Sequence, residues 1–116
     1  MLTICTDNLS FTKIINILNA HENVFGTYGI HPHETSKYKD LTIDKIKKQL
    51  LKHDKVIGVG ESGLDFYYNN SDRKTQINSF IKHIEIAQEL KLPLIVHMRD
   101  AEKDTLEIIK KGIPIP

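Results

Sequence analysis

The chain has 116 residues, a formal net charge of +1 and 40% hydrophobic residues, which suits one globular domain or part of one. No apolar run approaches the roughly 20 residues that span a bilayer, and the first residues lack a signal-peptide pattern, so neither a membrane protein nor a secreted one is expected. The single cysteine, Cys5, cannot form an internal disulfide, which favours a reducing, cytoplasmic location. The small net charge gives no bulk attraction to nucleic acid, although a local patch could still bind it.

Four short apolar runs predict strands, and three of them lead directly into a histidine or a glutamate. The predicted strands cover residues 2–5, 24–30, 56–60 and 92–96. The last three are followed by His31, Glu61 and His97. Because β-branched runs without alternation are typical of strands buried on both faces, a parallel sheet is expected.

Each predicted strand is followed by a predicted helix, with apolar residues at a spacing of three and four. The expected capping residues are Ser10, Thr42, Ser71 or Asp72, and Asp100. The strongest pattern follows Asp72, and its buried stripe is Ile77, Phe80, Ile81, Ile84, Ala87 and Leu90. His83 is predicted on the exposed side of that helix, and His21 and His53 on the surface.

The order of strand and helix, repeated four times, predicts an α/β fold built of four βα units. The strand ends near residues 30, 61 and 97 are about one βα unit apart. Four units are half of a (β/α)₈ TIM-type barrel, and the alternative is a small doubly wound sheet that is complete in itself. An incomplete barrel is the favoured expectation, because neither end of the chain carries residues that would finish a fold.

Glu61 and His97 follow neighbouring predicted strands and should project from the same end of the sheet. Adjacent strands are about 4.8 Å apart, so the two side chains can reach one ion between them. Carboxylate oxygen and imidazole nitrogen suit divalent metals such as Mg²⁺, Mn²⁺ or Zn²⁺, and a carboxylate can also bridge two ions. The alternative is structural, with Glu61 capping a loop and His97 hydrogen-bonded at the rim.

His31, His33 and Arg99 are the further candidates at this rim. The two histidines, on either side of Pro32, could bind a metal, hold a substrate phosphate when protonated, or cap the loop. Arg99 lies two residues after His97, so its guanidinium could hold a phosphate oxygen or form a salt bridge with a nearby carboxylate.

Asp65 and the aromatic residues after it have both functional and structural interpretations. Asp65 could order the loop or hold a metal ligand through a hydrogen bond. Phe66, Tyr67 and Tyr68 could stack on a nucleic-acid base, but packing is the more common role of such a triplet. Cys5 is interpreted as a buried small residue.

Three segments carry a family resemblance. They are GIHPHE at 29–34, GESGLDFYY at 60–68 and LPLIVHMRDA at 92–101, with Gln76, Phe80, Ala87 and Leu90 fitting the intervening helix. Together they resemble the TatD family of metal-dependent deoxyribonucleases, within the amidohydrolase-like barrels. The resemblance implies a (β/α)₈ barrel, a centre of divalent metal ions (two in the complete site) and hydrolysis of DNA phosphodiester bonds, typically from an end.

The resemblance also implies roles for single residues. Glu61 matches the carboxylate that bridges the family's metals and is the expected catalytic residue, and His97 matches a histidine ligand. His31 and His33 match a pair at the edge of the site that is associated with substrate. Arg99 falls within the motif around His97.

The match to the family is incomplete. The family's opening H-x-H metal pair, a later metal histidine and the aspartate that positions water have no counterpart between residues 1 and 116. Residues 1–116 are therefore expected to be a partial TatD-like domain, strands two to five of eight, inactive alone and completed by another chain. The alternatives are a non-catalytic remnant or interaction fragment of a split barrel, and hydrolysis of a substrate other than nucleic acid.

Overall fold

The predicted alternation of strands and helices is confirmed. The computed structural model describes residues 1–67 and 71–112, so Tyr68 lies outside the described residues. The strands are β1 (Leu2–Thr3), β2 (Phe25–Tyr28), β3 (Val56–Asp65) and β4 (Leu94–Arg99). The α-helices are α1 (Asn8–Ala20), α2 (Ile43–Leu50), α3 (Arg73–Leu90) and α4 (Glu102–Gly112), and a 3₁₀ helix (Pro32–Tyr38) follows β2.

The four strands form one parallel sheet in the order β1-β2-β3-β4. A doubly wound sheet reverses its strand order about a switch point, whereas a barrel adds every strand on the same side of the previous one. The observed order therefore excludes the doubly wound alternative, and the sheet is half of a (β/α)₈ barrel. None of the described helices is both long and apolar enough to cross a bilayer.

Two apolar clusters hold the helices on the sheet. The larger cluster packs α1 and α2 against β2 and β3, with the rings of Phe11 and Tyr28 meeting edge to face at 4.7 Å. The smaller cluster joins β3 to α3 through Leu64, Phe80 and Ile84. Burial of these side chains fixes the register of α3 on β3, and this register matters for the site described below.

The third strand is longer than the sequence predicts. We expected β3 to end at Glu61, but it continues to Asp65, and residues 62–65 pair with residues 96–99 of β4. Gly63 looks like a turn former, yet a Cβ at this position would lie 2.0 Å from the carbonyl oxygen of His97. The glycine therefore allows close approach of the two strands, and it does not end β3. The fourth strand likewise continues past His97 to Arg99.

Some predicted helix ends are correct and some are wrong. Thr42 and Asp72 cap α2 and α3. Asp7, instead of Ser10, caps α1, because the Ser10 amide donates to its carboxylate and the Ser10 hydroxyl accepts from the Asp7 amide. At α4, Ala101 directly precedes the first helical residue, so Asp100 lies one position too early to cap it.

The prediction that His83 lies on the surface is wrong. Its side chain is fully buried, its Nε2 accepts the Ile30 amide at 3.1 Å, and its Nδ1 donates to the Ser79 carbonyl at 2.7 Å. An imidazole that accepts at one nitrogen and donates at the other is neutral and is held as a single tautomer. Through this contact α3 fixes the backbone of Ile30, between the end of β2 and His31.

Burial lowers the pKa of His83 from 6.5 to about 4, and a pH dependence of stability follows. Below its ordinary pKa the unfolded chain gains a proton that the folded chain does not bind, so stability falls as the pH drops from neutral towards 4. We expect this group to remove about 3 kcal/mol of unfolding free energy over that range. Urea unfolding of the protein and of His83→Gln should show a shallower loss in the variant; equal losses would contradict the assignment.

Candidate metal centre

The predicted site residues converge at one end of the sheet. His31 directly precedes the 3₁₀ helix, Glu61 lies in the middle of β3, and His97 lies in β4. Each offers a ligand atom, and these three atoms lie within 4.8 Å of one another. The expected meeting of Glu61 and His97 at a shared edge is therefore confirmed as geometry.

The backbone around Glu61 is fixed from both neighbouring strands. The Glu61 amide donates to the Cys5 carbonyl at 2.8 Å, and the Thr27 hydroxyl donates to the Gly60 carbonyl at 2.8 Å. On the other side, a Cβ at Gly60 would lie 2.6 Å from the Ile95 carbonyl oxygen, so only glycine permits this approach of β4. Glu61 is thus carried on a rigid part of the sheet. Cys5 is fully buried, as expected.

His97 faces two carboxylates with its two ring nitrogens. Nε2 lies 2.9 Å from Asp65 Oδ2, and Nδ1 lies 3.4 Å from Glu61 Oε1. Because a carboxylate can only accept, Nε2 donates its hydrogen to Asp65. In the neutral ring Nδ1 then has a lone pair directed at the Glu61 oxygen, and two acceptors face each other.

The position of His97 Nδ1 opposite Glu61 Oε1 fits a divalent cation between the two atoms. Two ligand atoms that each lie about 2.1 Å from a tetrahedral ion are about 3.4 Å apart, which is the observed separation of Nδ1 and Oε1. A ligating histidine commonly donates its other N–H to a carboxylate, as His97 does to Asp65. Both the donor atoms and their support therefore suit a metal.

His31 supports Glu61 in a different way. Its Nδ1 accepts the His33 amide at 3.1 Å, and its Nε2 lies 3.1 Å from Glu61 Oε1. Burial and the nearby His97 lower the pKa of His31, although Glu61 opposes them. The neutral ring then has its hydrogen on Nε2 and donates it to Glu61. In this arrangement His31 orients the carboxylate, and it would have to change tautomer before it could bind a metal.

Asp65 connects three segments of the site. Its side chain is 1% exposed; Oδ2 accepts from Nε2 of His33 at 2.8 Å and of His97 at 2.9 Å, and Oδ1 accepts the Tyr67 amide at 3.0 Å. The two roles considered for Asp65 from sequence, ordering the loop and supporting His97, are thus both geometrically available. His33 lies at the edge of the cluster, and its described contact here is with Asp65 instead of Glu61.

Arg99 contacts Tyr67, whereas Phe66 has a different environment. The Arg99 guanidinium lies over the Tyr67 ring, 4.2 Å from its centre, while Phe66 is buried in the smaller apolar cluster. Packing therefore accounts for Phe66, and Tyr67, which is 55% exposed, remains at the surface beneath the guanidinium.

Sequence reasoning assigned no role at the site to two polar residues that support it, Ser71 and Gln76. Both are buried, and they hydrogen-bond to the backbone of His33 and Asp65 respectively. One signal was available for Gln76, since it lies four residues before Phe80 and so falls in line with the apolar stripe of α3. A polar residue on such a stripe indicates a buried hydrogen-bonding role.

Comparison with known proteins gives consistent matches. The sequence model described as "TatD related DNase" matches residues 1–114. A metal-dependent hydrolase of Buchnera aphidicola (subsp. Baizongia pistaciae) is 37% identical over 111 residues, which cover 96% of this chain and 41% of that protein. The 3'-5' ssDNA/RNA exonuclease TatD of Erwinia amylovora is 31% identical over 115 residues, or 98% and 44% of the two chains.

A solved structure agrees with these sequence matches. The crystal structure of a TatD-family hydrolase from Entamoeba histolytica superposes with a TM-score of 0.84 at 28% identity, covering 96% of this chain and 40% of that one. The chain thus spans about two fifths of the length of the proteins that it matches.

Proposed function

Because the chain belongs to the TatD-related DNase family of metal-dependent hydrolases, we propose that it forms part of the metal-binding half of a nuclease that hydrolyses DNA phosphodiester bonds from an end. The observation that carries the proposal is the 3.4 Å separation of His97 Nδ1 and Glu61 Oε1 in a ring whose Nε2 is bonded to Asp65; the neutral ring then presents a lone pair to the carboxylate. Two acceptors at that distance are stabilised by a cation between them. The printed name of the Erwinia relative, an ssDNA/RNA exonuclease, supports the class of substrate.

Each residue of the site has a separate proposed role. Glu61 and His97 would hold the metal, and Asp65 holds His97 in the ligating tautomer. A bound Mg²⁺, Mn²⁺ or Zn²⁺ would lower the pKa of a water molecule and polarise a phosphoryl oxygen. Arg99 supplies N–H donors suited to phosphate oxygens, and His31 and His33 would contact a phosphate by exchanging their present bonds to Glu61 and Asp65 for it.

We further propose that residues 1–116 are a partial domain completed by a chain that supplies the remaining strands. Among the described residues, β1 and β4 are the outer strands of the sheet. Large apolar side chains on the strands are also more than a third exposed, namely Leu2, Phe25, Ile57, Val96 and Met98. Unpaired strand edges and exposed apolar residues favour a covering partner. A cytoplasmic location fits the reduced state expected for Cys5.

The test of the proposed activity is hydrolysis by the chain combined with a protein that supplies the missing strands. Single-stranded DNA, RNA and an aryl phosphate ester are each incubated with the complex and Mn²⁺, and released products are separated by chromatography. Mononucleotides released progressively from an end of DNA are expected. Hydrolysis of the aryl ester alone would contradict a nuclease and favour a smaller ester as substrate.

Arg99→Met is expected to weaken substrate binding in this complex. Loss of a charged hydrogen bond to phosphate should raise KM about 10- to 100-fold and change kcat less. Lys103→Met is the matched control, because it removes one positive charge from an exposed position on α4. Equal KM values for the two variants would show that Arg99 does not contact the substrate.

A further inference from the structure

The first turns of α3 carry a hydrogen-bond network that reaches the back of the candidate metal centre. Gln76 is fully buried, and its side-chain oxygen accepts the Asp65 amide at 2.8 Å. Its side-chain nitrogen donates to the Asp65 carbonyl at 3.0 Å and to the Ser71 carbonyl at 2.8 Å. One side chain thus binds both backbone groups of Asp65, and all its hydrogen-bonding capacity except the second lone pair of its oxygen is used.

Ser71 continues the network to His33. Its hydroxyl donates to the His33 carbonyl at 3.1 Å and accepts the Ser36 amide at 3.0 Å, and its side chain is 2% exposed. Gln76 and Ser71 are themselves joined by the bond to the Ser71 carbonyl. The start of α3 therefore holds the backbones of Asp65 and His33 at one point.

The side chains of Asp65 and His33 belong to the candidate metal centre. Asp65 Oδ2 accepts from both His33 and His97, and the bond to His97 directs Nδ1 at Glu61. A change at Gln76 that moves the Asp65 backbone would move the atom on which both imidazoles depend. Gln76 itself touches none of the three ligand residues His31, Glu61 and His97 in any described hydrogen bond.

We propose that Gln76 and Ser71 are positioning residues that set the tautomer and orientation of His97 and His33, Gln76 through Asp65 and Ser71 through the His33 backbone. The inference deepens the proposed function, on which its link to catalysis rests. The effect of Gln76 on the imidazoles does not depend on the proposed function, because the protonated nitrogen of each ring can be measured without metal or substrate.

The test compares Gln76→Met with Asn78→Ala in the full chain. Methionine matches glutamine in length and removes all three hydrogen bonds, while Asn78 is exposed on the same helix. Long-range ¹H–¹⁵N spectra of the metal-free protein report the protonated nitrogen of each imidazole. We expect the wild-type protein and Asn78→Ala to show His97 protonated at Nε2 alone. Gln76→Met should show averaged or shifted signals for both His97 and His33.

A second readout is metal binding, followed by Mn²⁺-induced broadening of the same signals. Loss of a group that orients a ligand is expected to weaken binding about 10- to 100-fold. Ser71→Ala provides an independent variant should Gln76→Met fail to fold, and it should change the His33 signals more than those of His97. If a folded Gln76→Met or Ser71→Ala protein keeps wild-type ring signals, the proposal is wrong. If the ring signals change but wild-type protein binds no metal, the positioning role stands and the proposed function fails.

Discussion

Glu61→Gln is expected to weaken Mn²⁺ or Zn²⁺ binding by more than about 100-fold, because losing a ligand charge costs more than losing a group that orients a ligand. The same change should leave the metal-free fold intact. His31 Nε2 and His97 Nδ1 both face Oε1, so a glutamine whose amide oxygen takes that position still accepts from His31. The His97 lone pair then faces a neutral amide oxygen instead of a charged carboxylate oxygen, which weakens the repulsion at 3.4 Å, so the unfolding free energy without metal should not fall.

Titration calorimetry measures the affinity for the metal, and urea unfolding measures the stability of the metal-free protein. Glu89→Gln is the matched control, since Glu89 is an exposed carboxylate paired with Lys47 away from the site. It should bind metal as the wild-type protein does. A Glu61→Gln protein that binds metal normally would exclude Glu61 as a ligand, and one that loses stability without metal would contradict the inferred protonation of His97.

The second prediction is that the rate of DNA hydrolysis depends on completion of the barrel. The chain alone is expected to release no nucleotides from DNA, because the described residues provide few ligands and no positioned general base beyond the cluster itself. Adding a chain that supplies the missing strands should raise the rate of release by at least about 10²- to 10⁴-fold, the contribution of a positioned base. The part of Erwinia amylovora TatD that has no counterpart in this chain is a suitable complement.

Glu61→Gln in the same mixture is the control for this experiment. It should abolish the activity of the completed barrel, while Glu89→Gln should not. If the chain alone degrades DNA and does so equally well with Glu61→Gln, both the need for a partner and the assignment of the site are wrong. If the mixture assembles but remains inactive, the chain is the non-catalytic remnant that was the alternative.

The parallel sheet and the meeting of Glu61 with His97 could be predicted from sequence for one physical reason. Apolar runs mark parallel strands, and the carboxyl ends of such strands lie at the same edge of a sheet. The length of β3 could not be predicted, because Gly63 has the same identity whether it forms a turn or allows close approach of His97.

The hydrogen-bonding roles of the buried residues His83 and Gln76 could not be predicted from sequence. His83 and Gln76 are buried because particular backbone groups, at Ile30 and Asp65, need partners there. Such pairings join residues far apart in the chain, so the position of Gln76 in line with the apolar stripe of α3 indicates its burial but not its partner. The tautomer of His31 likewise depends on one hydrogen bond from the His33 amide, which only the folded loop provides.

The most direct test of the account is anomalous diffraction from crystals of the protein soaked in Mn²⁺ or Zn²⁺. We expect a peak between Glu61 Oε1 and His97 Nδ1, about 2.1 Å from each atom, with His97 Nε2 still bonded to Asp65. A protein that crystallises with both side chains in place but shows its anomalous peak elsewhere, or none at saturating metal, would contradict the central claim.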